Sequence, residues 1–268
     1  MPVRLFATDL DGTLLRSDGT VSARTRAAVE AAEAAGLRLV IATGRPPRWI
    51  PPIIDQLGER GLVVCGNGAL VYDPARHELV ERHEIPPDAA AEIVRRIRAA
   101  HPEAALALEQ GFSFHVDPSY EPYWALPEGH VRAPVEEFLD VAVTKLLVRL
   151  PEPAPAGVAA RVQALVDGLA QVTHSGLLGE AFLELSRAGV HKAHTVERLI
   201  GRSGIAAADV VAFGDMPNDL ELLRWAGRGV AVANAHPRVL AAADEVTASN
   251  DDDGVALVIE RVLAERLG

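Results

Sequence analysis

Residues 3–15 constrain the fold more than any other stretch. A nearly unbroken apolar run, Val3-Arg4-Leu5-Phe6-Ala7-Thr8, passes directly into Asp9-Leu10-Asp11-Gly12-Thr13. A short segment that is apolar on both faces suits a central strand of a parallel sheet, covered by helices above and below. It then ends in two carboxylates, a glycine and a hydroxyl. In open α/β sheets the carboxyl ends of the strands form the edge where ligands bind. Two acids one residue apart repel each other, and a divalent cation is the usual compensation. Asp-Gly is also ordinary turn chemistry, so this stretch alone leaves a plain turn open.

The chain beyond it repeats the pattern. Ser22 is a candidate N-cap for an Ala-rich helix over 22–35, with Gly36 as the C′ residue. Residues 37–42 read as a second strand, parallel to the first by right-handed crossover, and it ends in Thr43-Gly44-Arg45. A third strand over 61–65 leads to Gly66-Asn67-Gly68-Ala69, and a hairpin is expected over 70–84. From Ile85 the texture changes. Helices are expected over 88–100 and 156–169, and strands over 104–108, 112–116, 141–150, 171–175 and 181–186. Helix-strand-strand, twice, predicts an α+β unit with helices on one face of its sheet. At Gly189 the first texture returns. A helix over 192–201 is followed by a strand over 210–213 that ends in Gly214-Asp215-Met216-Pro217-Asn218-Asp219. The predicted architecture is an α/β, doubly wound parallel-sheet core made of residues 1–84 and 189–268. An α+β domain over 85–188 is inserted between its halves.

Bulk properties exclude several functions. A formal net charge of −11 argues against nucleic-acid or anionic-membrane partners. No apolar run approaches the ~20 residues of a membrane span, and no leader sequence is expected. The single cysteine, Cys65, forbids an internal disulfide and points to a reducing, cytoplasmic setting, with Cys65 itself a small buried group. Of 26 basic residues, 24 are arginine, and only Lys145 and Lys192 are lysine. A lysine in this chain is therefore conspicuous as a compact ammonium.

Four loops converge on the carboxyl edge of the core sheet: Asp9/Asp11/Thr13, Thr43/Gly44/Arg45, Lys192, and Asp215/Asn218/Asp219. Each residue type has a role in phosphoryl transfer. A carboxylate can attack phosphorus, and the charge on the equatorial oxygens wants a metal, an ammonium and short neutral donors around it. Asp9-Leu10-Asp11-Gly12-Thr13, Thr43-Gly44-Arg45, Lys192 and Gly214-Asp215-Met216-Pro217-Asn218-Asp219 resemble, in order, the four motifs of the haloacid dehalogenase-like phosphatases. Asn67-Gly68-Ala69, Ala231-Val232-Ala233-Asn234-Ala235 and Ser249-Asn250 before Asp253-Gly254 resemble the Cof-type (IIB) subgroup.

That resemblance implies a Mg²⁺-dependent phosphatase for a small phosphorylated metabolite, a sugar phosphate first, with a C2-type cap and an aspartyl-phosphate intermediate. It implies Asp9 as nucleophile and Asp11 as the acid that protonates the leaving alcohol and then activates water. Thr43 and Lys192 would hold phosphoryl oxygens, with Gly12 and Gly44 amides nearby and Asn218 against the phosphate, while the residue types of Arg45 and Asn67 suit substrate contact and structural hydrogen bonding equally. Mg²⁺ would take Asp9, the Asp11 carbonyl and Asp215, with Asp219 orienting Lys192 or a metal-bound water. The chain departs from the family around Lys192, where His191 and Ala193 replace a usual small residue and a glycine. Only 32 positions separate Asp11 from Thr43, whereas 149 separate Thr43 from Lys192, so the insertion lies between the second and third motifs.

Rival functions are a phosphotransferase with the same residues, a non-catalytic phosphometabolite sensor, and a receiver-type signalling domain. Asp11 argues against the sensor, and the inserted domain argues against the receiver. A monomer or homodimer is expected. Outside the motifs, Lys145 is expected as a solvated strand residue and His191 and His194 as capping or solvent-facing residues. Asp251-Asp252-Asp253 reads as a solvated helix-start run, with Asn250 supporting the metal loop. Phe112, His115, Tyr120, Tyr123, Trp124 and Arg132 are the candidate specificity patch of the inserted domain.

Overall fold

The strand that opens the chain, β1 (Leu5–Thr8), is buried at every position, as its apolarity on both faces requires. The computed structural model describes residues 3–58, 61–121, 125–150, 157–174 and 181–267. After β1 the backbone makes one wide turn, closed by the Leu15 N–H on the Leu10 carbonyl at 2.9 Å. Helix α1 (Ala23–Ala34) starts where the Ser22 hydroxyl accepts the Thr25 amide at 2.9 Å. It stops at Gly36, whose φ of 77° lets the Leu37 amide reach back to the Ala32 carbonyl. Then follow β2 (Arg38–Ala42), α2 (Pro51–Leu57), β3 (Val63–Cys65), β4 (Leu70–Asp73) and β5 (Glu78–Arg82).

The middle of the chain forms α3 (Pro87–Ala100), β6 (Ala105–Gln110), β7 (Ser113–Val116), β8 (Val131–Arg132), β9 (Lys145–Leu150), α4 (Val158–Leu165), β10 (Ala170–His174) and β11 (Ala181–Arg187). The remainder forms α5 (Lys192–Gly201), β12 (Val210–Gly214), α6 (Leu220–Trp225), β13 (Arg228–Ala231), α7 (Pro237–Leu240), β14 (Glu245–Val246) and α8 (Gly254–Leu267).

Contacts divide the chain into two units, residues 1–80 with 191–268, and residues 81–190. The first holds a sheet in the order β14-β13-β12-β1-β2-β3-β4-β5 among the described residues. Strands β14 to β3 run parallel and β4 is antiparallel to β3. Thr8 pairs with Phe213 on one side and Ile41 on the other, so the carboxyl ends of β12, β1 and β2 emerge side by side. The core beneath that edge joins Leu5, Phe6, Ile41, Val211 and Phe213 of the strands to Val29, Val196, Leu223 and Ile259 of the helices. Cys65 is buried in it.

Among the described residues the second unit is a six-stranded sheet in the order β10-β11-β9-β6-β7-β8, with one apolar cluster joining it to α3 and α4. A smaller cluster of Ala107, Phe114, Val116, Tyr120, Leu147 and Phe182 lies on the sheet's other face. Two expected element bounds change here. The strand expected over 141–150 begins only at Lys145, since Val143 is spent on a bridge to Ile85. The helix expected over 156–169 is Val158–Leu165, because Gly168, at a φ of 75°, turns the chain into β10.

Lys145 is also not solvated. It is 2% exposed, and its ammonium lies 3.1 Å from the Glu184 carboxylate across the sheet. Three described members of the candidate patch are also engaged within their own unit. Tyr120 is fully buried, His115 stacks on Phe138, and the Arg132 guanidinium donates to the carbonyls of Asp117, Pro118 and Tyr120. Tyr123 and Trp124 lie outside the described residues. No described helix is long and apolar enough to cross a membrane.

Candidate active site

Three parallel strands deliver the reactive groups. β1 ends in Asp9, β2 in Thr43 and β12 in Asp215, each buried at the carboxyl edge. Lys192 arrives differently, as the first residue of α5, and it is fully buried. Its entry is set by His191, whose Nδ1 accepts the His194 amide at 3.2 Å and so caps the helix. The Thr195 hydroxyl, one turn further, donates to the Gly68 carbonyl at 2.7 Å. That bond ties α5 to the loop after β3.

The Lys192 ammonium donates to Asp9 Oδ1 at 2.6 Å and to Asp219 Oδ1 at 2.7 Å. Burial works against the ammonium, but Asp219 and Asp9 outweigh it and hold its pKa above the ordinary lysine value. Burial pushes Asp9 up to about 8, against the pull of Lys192, and the charges of Asp219 and Asp215 add to the rise. Asp215 is pushed up to about 6, again mainly by burial and then by Asp219, although it accepts the Thr13 hydroxyl at 2.8 Å. Oxygens of Asp9, Asp215 and Asp219 all lie within 4.8 Å of one another. Three crowded carboxylates share one ammonium, and an all-oxygen set of this kind suits a hard divalent cation.

Asp219 is engaged on both oxygens. Oδ1 takes Lys192, and Oδ2 accepts the Asp215 and Met216 amides, each at 3.1 Å. The fit depends on Gly214, since a Cβ there would stand 2.4 Å from the Asp219 Cβ. Gly12 is under a similar constraint. Its φ is 74°, and a Cβ would lie 2.5 Å from Asp215 Oδ2.

The other sequence-predicted residues fall on the same edge in two groups. Arg45 forks onto Asp11, Nε to Oδ2 at 2.8 Å and a terminal nitrogen to Oδ1 at 2.5 Å. The Thr43 hydroxyl accepts the Arg45 amide at 3.1 Å. Gly66, Asn67 and Gly68 all have positive φ, at 59°, 58° and 107°. This loop is pinned by the Gly66 amide on the Arg45 carbonyl and the Asn67 amide on the Thr43 carbonyl, each at 3.0 Å. It turns the Asn67 side chain to accept the Asn218 amide at 3.0 Å, against Gly44. Sequence reasoning gave no role to Asn234, whose side chain donates to the Gly12 carbonyl at 2.8 Å. The signals were its place at the end of another parallel strand and within the Ala231-Val232-Ala233-Asn234-Ala235 stretch. The acid run does more than meet solvent: Asp251 accepts the Ser17 amide and hydroxyl, and Asp253 accepts Arg16.

A family model described as haloacid dehalogenase-like hydrolase matches residues 6–259. The chain is 30% identical to 5-amino-6-(5-phospho-D-ribitylamino)uracil phosphatase YitU of Bacillus subtilis (strain 168), over 94% of each chain. It is 29% identical to pyridoxal phosphate phosphatase YbhA of Escherichia coli (strain K12), covering 97% of this chain and 98% of that one. A crystal structure of a haloacid dehalogenase-like hydrolase from Bacteroides thetaiotaomicron superposes with a TM-score of 0.77 at 29% identity, over 97% of this chain and 99% of the other. A strand-edge cluster of acids and one buried lysine, on this sheet order and with these relatives, makes the chain a phosphoric monoester hydrolase that belongs to the haloacid dehalogenase-like hydrolase family, in its Cof-type branch.

Proposed function

We propose that the protein dephosphorylates small phosphorylated metabolites, with sugar phosphates as the leading class, through an aspartyl-phosphate and with Mg²⁺ as cofactor. The observation that carries this reading is the buried Lys192 ammonium shared by Asp9 and Asp219 at the strand edge that also bears Asp215. In the first step an Asp9 carboxylate oxygen bonds to phosphorus as the ester P–O bond breaks, and Asp11 gives the departing alkoxide a proton. In the second, water attacks the phosphorus of the acyl-phosphate and gives its proton to Asp11. The bond between phosphorus and the Asp9 oxygen breaks as water adds, which restores the Asp9 carboxylate and frees inorganic phosphate.

The residues have graded duties in this scheme. Lys192 neutralises phosphoryl oxygens without moving, since Asp219 fixes it from behind. Asp219, with both oxygens engaged, positions the lysine and the Asp215 turn, which leaves Asp9, Asp215 and the Asp11 backbone carbonyl to hold the metal. Mg²⁺ at those donors would supply positive charge to the transferring phosphoryl group. Asp11 is paired with Arg45. A phosphate dianion competes for that guanidinium and frees Asp11 for its proton transfers. Asn67 and Asn218 offer amides on the same edge.

A specific observation supports a second substrate class. Two relatives are named for phosphate esters of a ribitylaminouracil and of pyridoxal, each a heterocycle with a phosphorylated side arm. The deciding experiment is a panel of hexose phosphates, pentose phosphates, pyridoxal phosphate, flavin-type phosphates and nucleotides, assayed for free phosphate with Mg²⁺ and with EDTA. Sugar phosphates should lead in kcat/KM, and Asp9→Asn should lower kcat by at least about a thousandfold while the fold persists. Full activity in EDTA would remove the metal. Ester consumption without equivalent free phosphate would point to a transferase instead.

A further inference from the structure

We infer that Asn234, backed by Asn250, is a positioning residue that locks the peptide between Gly12 and Thr13 and thereby holds the metal-facing turn in its working shape. This rests on the reading of Asp9, Asp11 and Asp215 as the metal-bearing acids. The turn needs such a lock. Gly12 has a φ of 74° and carries no Cβ, so its following peptide plane is the softest part of the loop that carries Asp11. A flip of that plane would draw Thr13 away from its 2.8 Å hydrogen bond to Asp215 Oδ1. It would also alter the backbone on which Asp11 is presented.

The lock is built from the far end of the chain. Asn234 Nδ2 donates to the Gly12 carbonyl at 2.8 Å, and its Oδ1 accepts the Asn250 amide at 3.0 Å. With both ends engaged, the Asn234 amide has one orientation. Asn250 is itself buried, and its Nδ2 donates to the Leu15 carbonyl at 2.9 Å. The two asparagines therefore hold the Leu10–Leu15 turn at its middle, Gly12, and at its end, Leu15. The same loop reaches the second acid turn, since the His236 amide donates to the Asp215 carbonyl at 2.8 Å. Residues 234–236 thus bridge the backbone of the two acid turns, while Thr13 and Asp215 bridge their side chains. Asn234 is exposed, so its hydrogen bonds add little to global stability. Its contribution is to the placement of the turn.

The test is Asn234→Asp, which keeps the acceptor for the Asn250 amide but sets a carboxylate oxygen against the Gly12 carbonyl, with Asn234→Ala beside it. Both variants should bind Mg²⁺ more weakly, with Kd raised at least about fivefold by calorimetry on the substrate-free protein. kcat should fall at least about tenfold with KM changed less than about threefold, and Asp should be worse than Ala. Melting temperature in EDTA should stay within about 2 °C of the parent. Unchanged Mg²⁺ affinity with unchanged kcat overturns the proposal. A drop in melting temperature that accounts for the lost activity also overturns it, by making the loop a packing element. If the parent protein binds Mg²⁺ but hydrolyses no ester in the panel, the hydrolase reading fails, and the calorimetry still decides the role of Asn234.

Discussion

Lys192 gathers three kinds of evidence in one side chain. It is one of two lysines in an arginine-rich chain, it is fully buried, and both its charged partners come from other loops. The carboxylates around it outnumber it, and that imbalance gives a pH signature. Asp9 is raised to about 8 and Asp215 to about 6, so between the ordinary carboxylate range near pH 4 and pH 8 the folded protein binds more protons than the unfolded chain. Stability then falls as pH rises across that window. Thermal melts in EDTA should show a lower melting temperature at pH 8 than at pH 5, with saturating Mg²⁺ narrowing the difference. A metal-free protein that is more stable at pH 8 would contradict the acid cluster as described. Asp219→Asn tests the neighbouring residue. It removes the charge behind Lys192 and sets an amide donor against either the ammonium or the backbone amides. kcat should drop at least about tenfold, and stability should fall by about 1–3 kcal/mol in urea titrations, the cost of an unmatched buried polar group.

At the scale of elements, the turns carry as much information as the strands. Gly12 and Gly19 have nearly the same backbone, at φ 74° and 79°, but different surroundings. A methyl group at Gly19 meets nothing within 4 Å, whereas at Gly12 it meets the Asp215 carboxylate. Both alanine variants should lose about 1–2 kcal/mol from the left-handed backbone. Only Gly12→Ala should also lose kcat and Mg²⁺ affinity, and equal catalytic loss in both would show that turn strain, not contact with Asp215, matters. The strands were legible because an apolar run has a visible end: the polar residue after it marks the sheet edge, and this placed Asp9, Thr43 and Asp215 together. Contacts that cross the chain were not legible. The Asn234 bond to Gly12 spans 222 positions, and the Arg45 fork on Asp11 spans 34. Each joins a side chain to a group whose position depends on the finished sheet. Lys145 failed for a related reason. Alternation along β9 shows that Lys145 and Leu146 face opposite ways, but not that Glu184 on β11 waits on the lysine's face.

For the molecule as a whole, the division into two units makes a claim about folding. Among the described residues, 81–190 hold their own six-stranded sheet, and their main apolar cluster draws on α3, α4 and strands β6, β9 and β11. A reciprocal pair of backbone hydrogen bonds between Ile85 and Val143, at 2.8 and 2.9 Å, ties the entry of the unit to its middle. Arg98 and the buried Asp117 clamp α3 to the segment after β7, with Asp117 also accepting the Leu106 and Val135 amides. A segment of this length lies within the range of independently folding domains. Expressed alone, residues 81–190 should therefore unfold in urea as one cooperative transition, with an m-value of about 1–2 kcal/mol/M. A broad, non-cooperative change would mean that this sheet needs the rest of the chain. The pair at Lys145 sharpens the test within the same fragment. Lys145→Met takes the ammonium away from the part-exposed Glu184 carboxylate and should cost about 1–3 kcal/mol, while Lys145→Met with Glu184→Leu should recover most of that loss. Recovery by the double variant would show that these two charges are replaceable for folding. Their retention would then have to be explained by what the unit binds, which a repeat of the phosphate-ester panel on the full-length double variant measures directly.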